Sequence, residues 1–430
     1  MTYTPNHKLR QPQMVAPQIA VLGSYPPRAC GIATFTADVA AAIEQHSGQS
    51  TKIIAIDELG AVRSYSKNVI SCLQQDNPAS YLNIAAAVAR SSVKLVNVQH
   101  EYGLFGGEDG ELLLTFMEAL PQPIVTTLHT VLSEPSPHLR EVTQALCNLS
   151  AEVVVLARSA IPMLRDIYDI DTSRVTFIPH GIPTVTRQAG VRRAMKARLG
   201  YSGRTLLSTF GLINPDKGIE YVLQALPLLV NRHPNLLFLV LGETHPGIRR
   251  HLGESYREGL QEIVDELGLH EHVRFENRYL DLKELINYLL ATDIYLMAYL
   301  NSDQIVSGTL AYAVGCGKAV VATPFRYAEE MLADGRGMIV PFHSHQAIAD
   351  AIQQLVTSPT LQAEIETRAY TFSRSMEWPS VAAAYWAVFR ALCTEGSGGG
   401  LDCAHQLPCS RQISAELTPR IMPDALTRTE

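Results

Sequence analysis

Two successive sets of about six short apolar runs, separated by helical patterns, constrain this 430-residue chain more than any single motif does. The first set is Ile19–Ser24, Lys52–Ile56, Lys94–Val98, Ile124–Leu128, Val153–Leu156 and Val175–Ile178. The second is Thr205–Phe210, Leu237–Leu241, Val273–Glu276, Ile294–Ala298, Ala319–Ala322 and Met338–Val340. Helical patterns such as Thr34–Glu44, Glu111–Ala119, Ile219–Val230, Tyr256–Leu267 and Leu282–Leu290 lie between them. Short, near-continuous apolar strands that alternate with helices imply a parallel sheet covered on both faces. Two sets fit two doubly wound α/β domains with a deep cleft between them better than one sheet. The break is expected near Pro183–Arg204, where Gly190, a basic run and Gly200 interrupt the pattern.

The expected organisation is a flexible N-terminus (1–17), a first domain (18–185), a second domain (186–375), a closing helix (376–394) that returns to the first domain, and a flexible tail (395–430). The tail opens on GSGGG, a linker composition. With 47% hydrophobic and 18% charged residues the chain is globular. A net charge of −7 gives no general affinity for nucleic acid or anionic membranes. No run approaches the ~18 apolar residues of a membrane span, and the polar, Pro-rich N-terminus lacks an apolar signal core. Cys30, Cys72, Cys147, Cys316, Cys393, Cys403 and Cys409 form neither a metal-ligand spacing nor a disulfide framework, so the expected compartment is the cytoplasm. Cys403 and Cys409 read as incidental tail cysteines, the competing reading being a metal site or a bridge.

In open parallel sheets, ligands bind beyond the carboxyl ends of the strands. The strongest such place is Gln304–Phe325, QIVSGTLAYAVGCGKAVVATPF. A polar loop opens into a small-residue helix from Gly308 to Val314. Its start offers unpaired N–H groups and a positive dipole end, a site for a diphosphate. Ser307, Gly308 and Thr309 are small enough for an anion to approach. Asp303 and Gln304, just before the helix, either grip sugar hydroxyls or, for Asp303, cap it.

Other strand ends add candidates. After the first strand, Gly31 permits a backbone turn and Thr34 can cap the next helix. Gln99-His-Glu-Tyr-Gly-Leu-Phe-Gly-Gly reads as a binding loop in which His100 and Glu101 hold a sugar or cap a neighbouring helix. His129 ends the strand IVTTLHT and can donate or accept a hydrogen bond, or serve only structure. Gly211–Gly218, GLINPDKG, places Lys217 just before a helix, where a compact cation either neutralises a phosphate or lies solvated. Glu243 and His245 either hold a base or ribose or order their loop. No G-x-G-x-x-G follows the first strand, and P-loop, H-E-x-x-H and G-x-S-x-G patterns are absent. Metal-ligand spacing is absent as well, and no metal or cofactor is called for.

With these residues in view, the chain resembles the retaining GT-B glycosyltransferases of family four, in particular their bacterial mannosyltransferase-like branch. The resemblance covers about residues 18 to 394. It rests on IAVLGSYPPRACGIATFT, QHEYGLFGG, TTLHT, VTFIPHGI, FGLINPDKGIEYV, LVLGETHP and QIVSGTLAYAVGCGKAVVATPF in that order. It implies two Rossmann-like domains, with the acceptor (a saccharide, glycolipid or small molecule) on the first and a nucleotide sugar on the second. It also implies that Gly31 lies beside the donor phosphates or the acceptor, and that His129 contacts the donor sugar. Lys217 matches the phosphate-binding lysine, and Ser307, Gly308 and Thr309 match the loop around the diphosphate.

Two departures matter. The family usually has glutamates eight positions apart around this helix, where this chain has Gln304 and Tyr312. Its usual arginine in the lysine loop is here Leu212. The expected reaction is transfer of a hexose, mannose first, from GDP-mannose or UDP-glucose to an acceptor hydroxyl with retention. Lys217, His129, Asp303 and Gln304 would act at the reacting sugar, and Gly31, Glu243 and Tyr312 at the donor. His100 and Glu101 would serve the acceptor. A lipid-linked acceptor would bring the protein to the inner membrane face as a peripheral visitor. The competing readings are a nucleotide-sugar-binding or scaffold protein, and a GT-B-like sugar-nucleotide epimerase, which would need well-placed carboxylates.

Overall fold

The computed structural model describes residues 17–58 and 60–395. Its strands are β1 (Ile19–Gly23), β2 (Lys52–Asp57), β3 (Val69–Gln74), β4 (Leu95–His100), β5 (Ile124–Leu128), β6 (Glu152–Val155) and β7 (Val175–Phe177) in one sheet. A second sheet holds β8 (Thr205–Phe210), β9 (Leu236–Leu241), β10 (Val273–Glu276), β11 (Ile294–Met297), β12 (Ala319–Ala322) and β13 (Met338–Ile339). The orders are β3-β2-β1-β4-β5-β6-β7 and β10-β9-β8-β11-β12-β13. Both sheets are parallel throughout. The strand order therefore reverses between β1 and β4 and between β8 and β11, and a crevice opens at the carboxyl end of each reversal.

Nine of the twelve expected runs are interior strands whose residues are mostly buried, and the other three, β7, β10 and β13, are partly exposed edge strands. The sequence reading missed β3. This edge strand, VISCLQ, alternates in exposure along its length, and Ser71 interrupts its apolar run. Three helical expectations also change. The helix after β1 starts at Gly31 with Cys30 as its cap residue, and Thr34 lies inside it, donating to the Cys30 carbonyl at 3.5 Å. The Ile219–Val230 pattern divides into Ile219–Ala225 and Pro227–Val230, because Pro227 has no N–H to give. The expected break near residues 183–204 contains a helix, Val191–Arg198, two of whose basic residues are paired: Arg192 and Lys196 reach Asp293.

Two chain crossings join the sheets side by side. Ile182 bridges to Glu377, and Trp378 N–H donates to the Ile182 carbonyl at 3.0 Å. The glycine at 181 is required there, since a Cβ would lie 2.2 Å from the Trp378 ring. Helix Trp378–Glu395 then lies on the first sheet's helix Gly31–Ser47, packing Val381, Tyr385 and Phe389 against Phe35, Val39 and Ile43. Each such side chain contributes about 1.5–3 kcal/mol of burial. Expectations for residues 1–16 and 396–430, including Cys403 and Cys409, lie outside the described residues.

Candidate active site

The two crevices face one another across a cavity of about 500 Å³. Its walls include Cys30, Gly31 and Thr34 from the first turn, Glu101 from the end of β4, and His129 from the end of β5. The second side supplies Leu212 and Lys217 after β8, Glu243 and His245 after β9, Tyr299 and Gln304 after β11, and Ser307, Gly308, Thr309 and Tyr312 of the following helix. Ten of the twelve candidate residues therefore line one space: Gly31, Glu101, His129, Lys217, Glu243, Gln304, Ser307, Gly308, Thr309 and Tyr312.

His100 and Asp303 do not line this cavity. His100 is 1% exposed, stacked on Phe105 and edge-on to Tyr102, with neither ring nitrogen hydrogen-bonded. It faces the interior because it is the last residue of β4, and its loop folds back over it. Asp303 neither lines the cavity nor caps the helix. It accepts from Ser133 at 2.7 Å and from Arg326 at 3.1 Å, tying the two sides together.

Helix Gly308–Gly315 is capped by Ser307, whose hydroxyl accepts the Leu310 N–H at 3.3 Å. The N–H groups of Gly308 and Thr309 have no intrahelical acceptor at this position. Lys217 stands beside them. Its ammonium donates to the Tyr299 hydroxyl at 2.5 Å and lies 3.8 Å from that ring's centre. Tyr299 is 2.9 Å from the Thr309 hydroxyl, which is 3.0 Å from that of Ser307. An ammonium can only donate, so the Tyr299 oxygen accepts from Lys217 and its own proton is free for Thr309. The chain of hydroxyls links the cation to the helix start.

His129 has a defined tautomer. Asn97 donates to the Val125 carbonyl at 3.0 Å, and Gln99 uses its NH₂ on Asn97. Gln99 therefore offers only its carbonyl to His129 Nε2, 2.9 Å away. Nε2 carries the proton, and Nδ1 is left as an acceptor. Burial pushes His129 down to about 3, so the ring is neutral at pH 7. His180, which the residue-by-residue reading missed, is also neutral: burial lowers it to about 4. Its Nδ1–H donates to the Gly181 carbonyl at 2.8 Å, and its Nε2 lies against Gly308, where an added Cβ would sit 3.0 Å away. Tyr299 was missed too. Its signal was its place just past the end of β11, at the reversal of strand order.

The remaining wall residues are held by local bonds. Glu101 accepts from Tyr102 N–H at 3.1 Å and from Thr130 at 2.7 Å, while burial raises its carboxyl. Glu243 turns toward Arg249, 3.4 Å away. His245 Nδ1 accepts the Gly247 N–H at 3.1 Å. Gln304 gives an N–H to the Val306 carbonyl at 3.0 Å, which leaves its amide oxygen for the cavity. Burial also lowers His245, so with His129, His180 and His245 all held down, Lys217 is the cation among the cavity-lining residues. The arrangement can bind a small polar ligand by hydroxyl contacts at one end and an anion at Lys217 and the helix start.

Comparison with known proteins agrees with this geometry. The sequence pattern of "Glycosyl transferases group 1" matches residues 192–372. A D-inositol 3-phosphate glycosyltransferase of Rhodococcus erythropolis is 26% identical over 277 residues, 60% of this chain and 60% of its own length. A phosphatidyl-myo-inositol mannosyltransferase of Mycolicibacterium smegmatis is 26% identical over 298 residues, 67% of this chain and 69% of its own. The match thus spans about three fifths of the first relative's length. The Anabaena protein HepE, solved in complex with UDP-glucose, shares the fold with a TM-score of 0.66 at 15% identity, over 87% of this chain and 99% of its own. Among the described residues no helix is long and apolar enough to cross a membrane. Two facing parallel sheets, the cavity between them and the matched second half lead to one assignment: the chain has the GT-B fold, and its residues 192–372 carry the group 1 glycosyltransferase pattern.

Proposed function

We propose that this protein transfers a hexose, mannose in first place, from a nucleotide diphosphate sugar to an acceptor hydroxyl with retention of anomeric configuration. The observation that carries this reading is the array of Lys217, Tyr299, Thr309 and Ser307 at the start of helix Gly308–Gly315. As the sugar–phosphate bond breaks, negative charge grows on the leaving diphosphate. Lys217 and the Gly308 and Thr309 N–H groups meet that charge where it develops, which lowers the barrier more than it tightens substrate binding. His129 Nδ1 and the Gln304 amide oxygen accept hydroxyl protons and orient the sugar. The acceptor enters past Glu101 and Gly31, and its proton leaves with the diphosphate oxygen on the same face.

The mannosyltransferase among the relatives supports mannose, and the UDP-glucose complex of HepE supports glucose as the next donor sugar. A lipid-linked acceptor would bring the protein to a membrane surface. A second reading, sugar-nucleotide binding without turnover, is favoured by Leu212 and Tyr312, where the resemblance implies an arginine and a glutamate. The test is to incubate the protein with GDP-mannose and with UDP-glucose, with and without acceptor extract, and to measure release of nucleoside diphosphate. Acceptor-dependent release supports transfer. Binding without release under every acceptor supports the second reading, and absence of both ends the proposal.

A further inference from the structure

Two hydroxyl contacts from successive turns of one helix cross the cleft. Thr34 and Asp38 are four residues apart on helix Gly31–Ser47 and so share a face. The Thr34 hydroxyl is 3.2 Å from the Tyr279 hydroxyl, and the Tyr312 hydroxyl donates to Asp38 Oδ2 at 3.1 Å. Thr34, Tyr279 and Tyr312 line the cavity, and Asp38 stands behind Tyr312. We propose that Asp38 is a positioning residue for the sugar nucleotide: it acts through Tyr312, fixing both the spacing of the two cavity walls and the direction in which that phenol's proton points. The proposal rests on the donor reading above.

The chemistry follows from the proton inventory. A phenol has one proton and two lone pairs. While Asp38 is ionised, that proton goes to the carboxylate, and Tyr312 presents only lone pairs to the cavity. It then accepts from a ligand hydroxyl. Once Asp38 is protonated, the carboxylic acid can donate to the phenol oxygen, and the phenol proton is released toward the cavity. Tyr312 changes from acceptor to donor. Burial pushes Asp38 up to about 6, against the lowering effect of the Tyr312 bond, so the change falls near neutral pH.

Few other groups can account for a change there. Tyr279 and Cys316 face Tyr312 from the second side, and His180 faces it from the crossing segment. Cys316 is held up to about 11 and His180 down to about 4, both by burial, so neither changes charge between pH 5 and 8. The closing helix meets helix Gly31–Ser47 with Val381, Tyr385 and Phe389. On the same helix as Asp38, Glu44 is engaged by the Thr51 N–H.

Asp38→Asn keeps the shape and removes the charge; Tyr312→Phe removes the hydroxyl. Steady-state kinetics with GDP-mannose and UDP-glucose from pH 5 to 8.5 should show the wild-type donor KM rising as pH falls through about 6, with kcat little changed. Asp38→Asn should raise the donor KM roughly five- to tenfold at pH 8, the worth of one hydrogen bond, and lose that pH step. Tyr312→Phe should do the same, and the double variant no more than either. A wild-type KM with the pH step intact in Asp38→Asn overturns the proposal, as does an additive loss in the double variant. Hydrogen exchange of the unliganded protein is read in parallel. Amides of residues 31–40 and 306–314 should exchange faster in Asp38→Asn while those of β5 stay unchanged; unchanged exchange in both segments also overturns it. If exchange responds as expected but no sugar nucleotide binds the wild type, the donor reading fails and the contact between the walls stands.

Discussion

The Lys217 ammonium is bound to the Tyr299 hydroxyl at 2.5 Å and sits over the same ring, 3.8 Å from its centre. A flexible four-carbon stem is thereby held at one point, beside the helix start that Thr309 and Ser307 complete. A preorganised cation needs little reorganisation when charge develops on a leaving group. Lys217→Ala should lower kcat by about 10²–10³, the usual cost of deleting one such donor. Tyr299→Phe keeps the ring and its cation–π contact but drops the hydroxyl, and should lower kcat by about tenfold. Nucleoside diphosphate release at saturating donor checks both. Equal activity in Lys217→Ala would remove the lysine from the reaction.

Three buried histidines, His100, His129 and His180, should make the fold acid-sensitive. Burial lowers them to about 3, about 3 and about 4. An unfolded histidine binds a proton below about 6.5, so between there and the folded values the unfolded chain binds more protons. Stability is therefore full above pH 6.5 and falls as pH drops, by up to about 1.4 kcal/mol per pH unit for each histidine. Asp38 has the opposite sign. Its raised value, about 6, adds stability as pH falls from 6 toward 4 and withdraws it as pH rises. Urea unfolding at pH 7, 6 and 5 should show the net loss. Asp38→Asn should steepen it, and His129→Gln should flatten it.

The closing helix offers a packing test. Phe389 is 0% exposed and shares a cluster with Phe35, Val39 and Ile43 of the first sheet's helix. Phe389→Ala should destabilise the protein by about 3–5 kcal/mol, from lost burial and the cavity left behind. Chemical denaturation monitored by Trp378 and Trp386 fluorescence would measure it. A loss below 1 kcal/mol would mean that this helix does not hold the first sheet in solution.

The sequence made the sheets legible because buried parallel strands are nearly all apolar, and β3 escaped because Ser71 and a half-exposed pattern interrupt its run. It also made legible those cavity-lining residues that stand at strand-to-helix turns: Lys217 before its helix, and Ser307, Gly308 and Thr309 at the start of theirs. The rest depends on contacts between distant segments. Tyr299 matters through Lys217, 82 positions away, and Asp38 through Tyr312, 274 positions away. No spacing rule connects such pairs. The misplacement of His100 and Asp303 has the same origin, since a strand end shows where a residue is but not which way its side chain turns.

Gly308 and His180 provide the most direct test of the cavity's geometry. The glycine is the first residue of its helix, and His180 Nε2 occupies the space where a side chain would begin, 3.0 Å from an added Cβ. Gly308→Ala must therefore push either the imidazole or the helix start by a few tenths of an ångström. His180 is fixed by its 2.8 Å bond to the Gly181 carbonyl, in the segment that crosses between the sheets, so the helix start should yield. Under the proposed donor site, displaced N–H groups would lose their aim at the diphosphate, and binding of a nucleoside diphosphate should weaken by about tenfold, near 1.4 kcal/mol. His180→Ala on its own opens space without moving the helix and should cost less. Combined with Gly308→Ala it should restore most of the lost affinity, because the imidazole that forced the shift is gone. Calorimetric titration of the three variants with GDP and UDP separates the outcomes. Failure of the double variant to recover would show that the alanine methyl blocks the ligand itself rather than crowding His180.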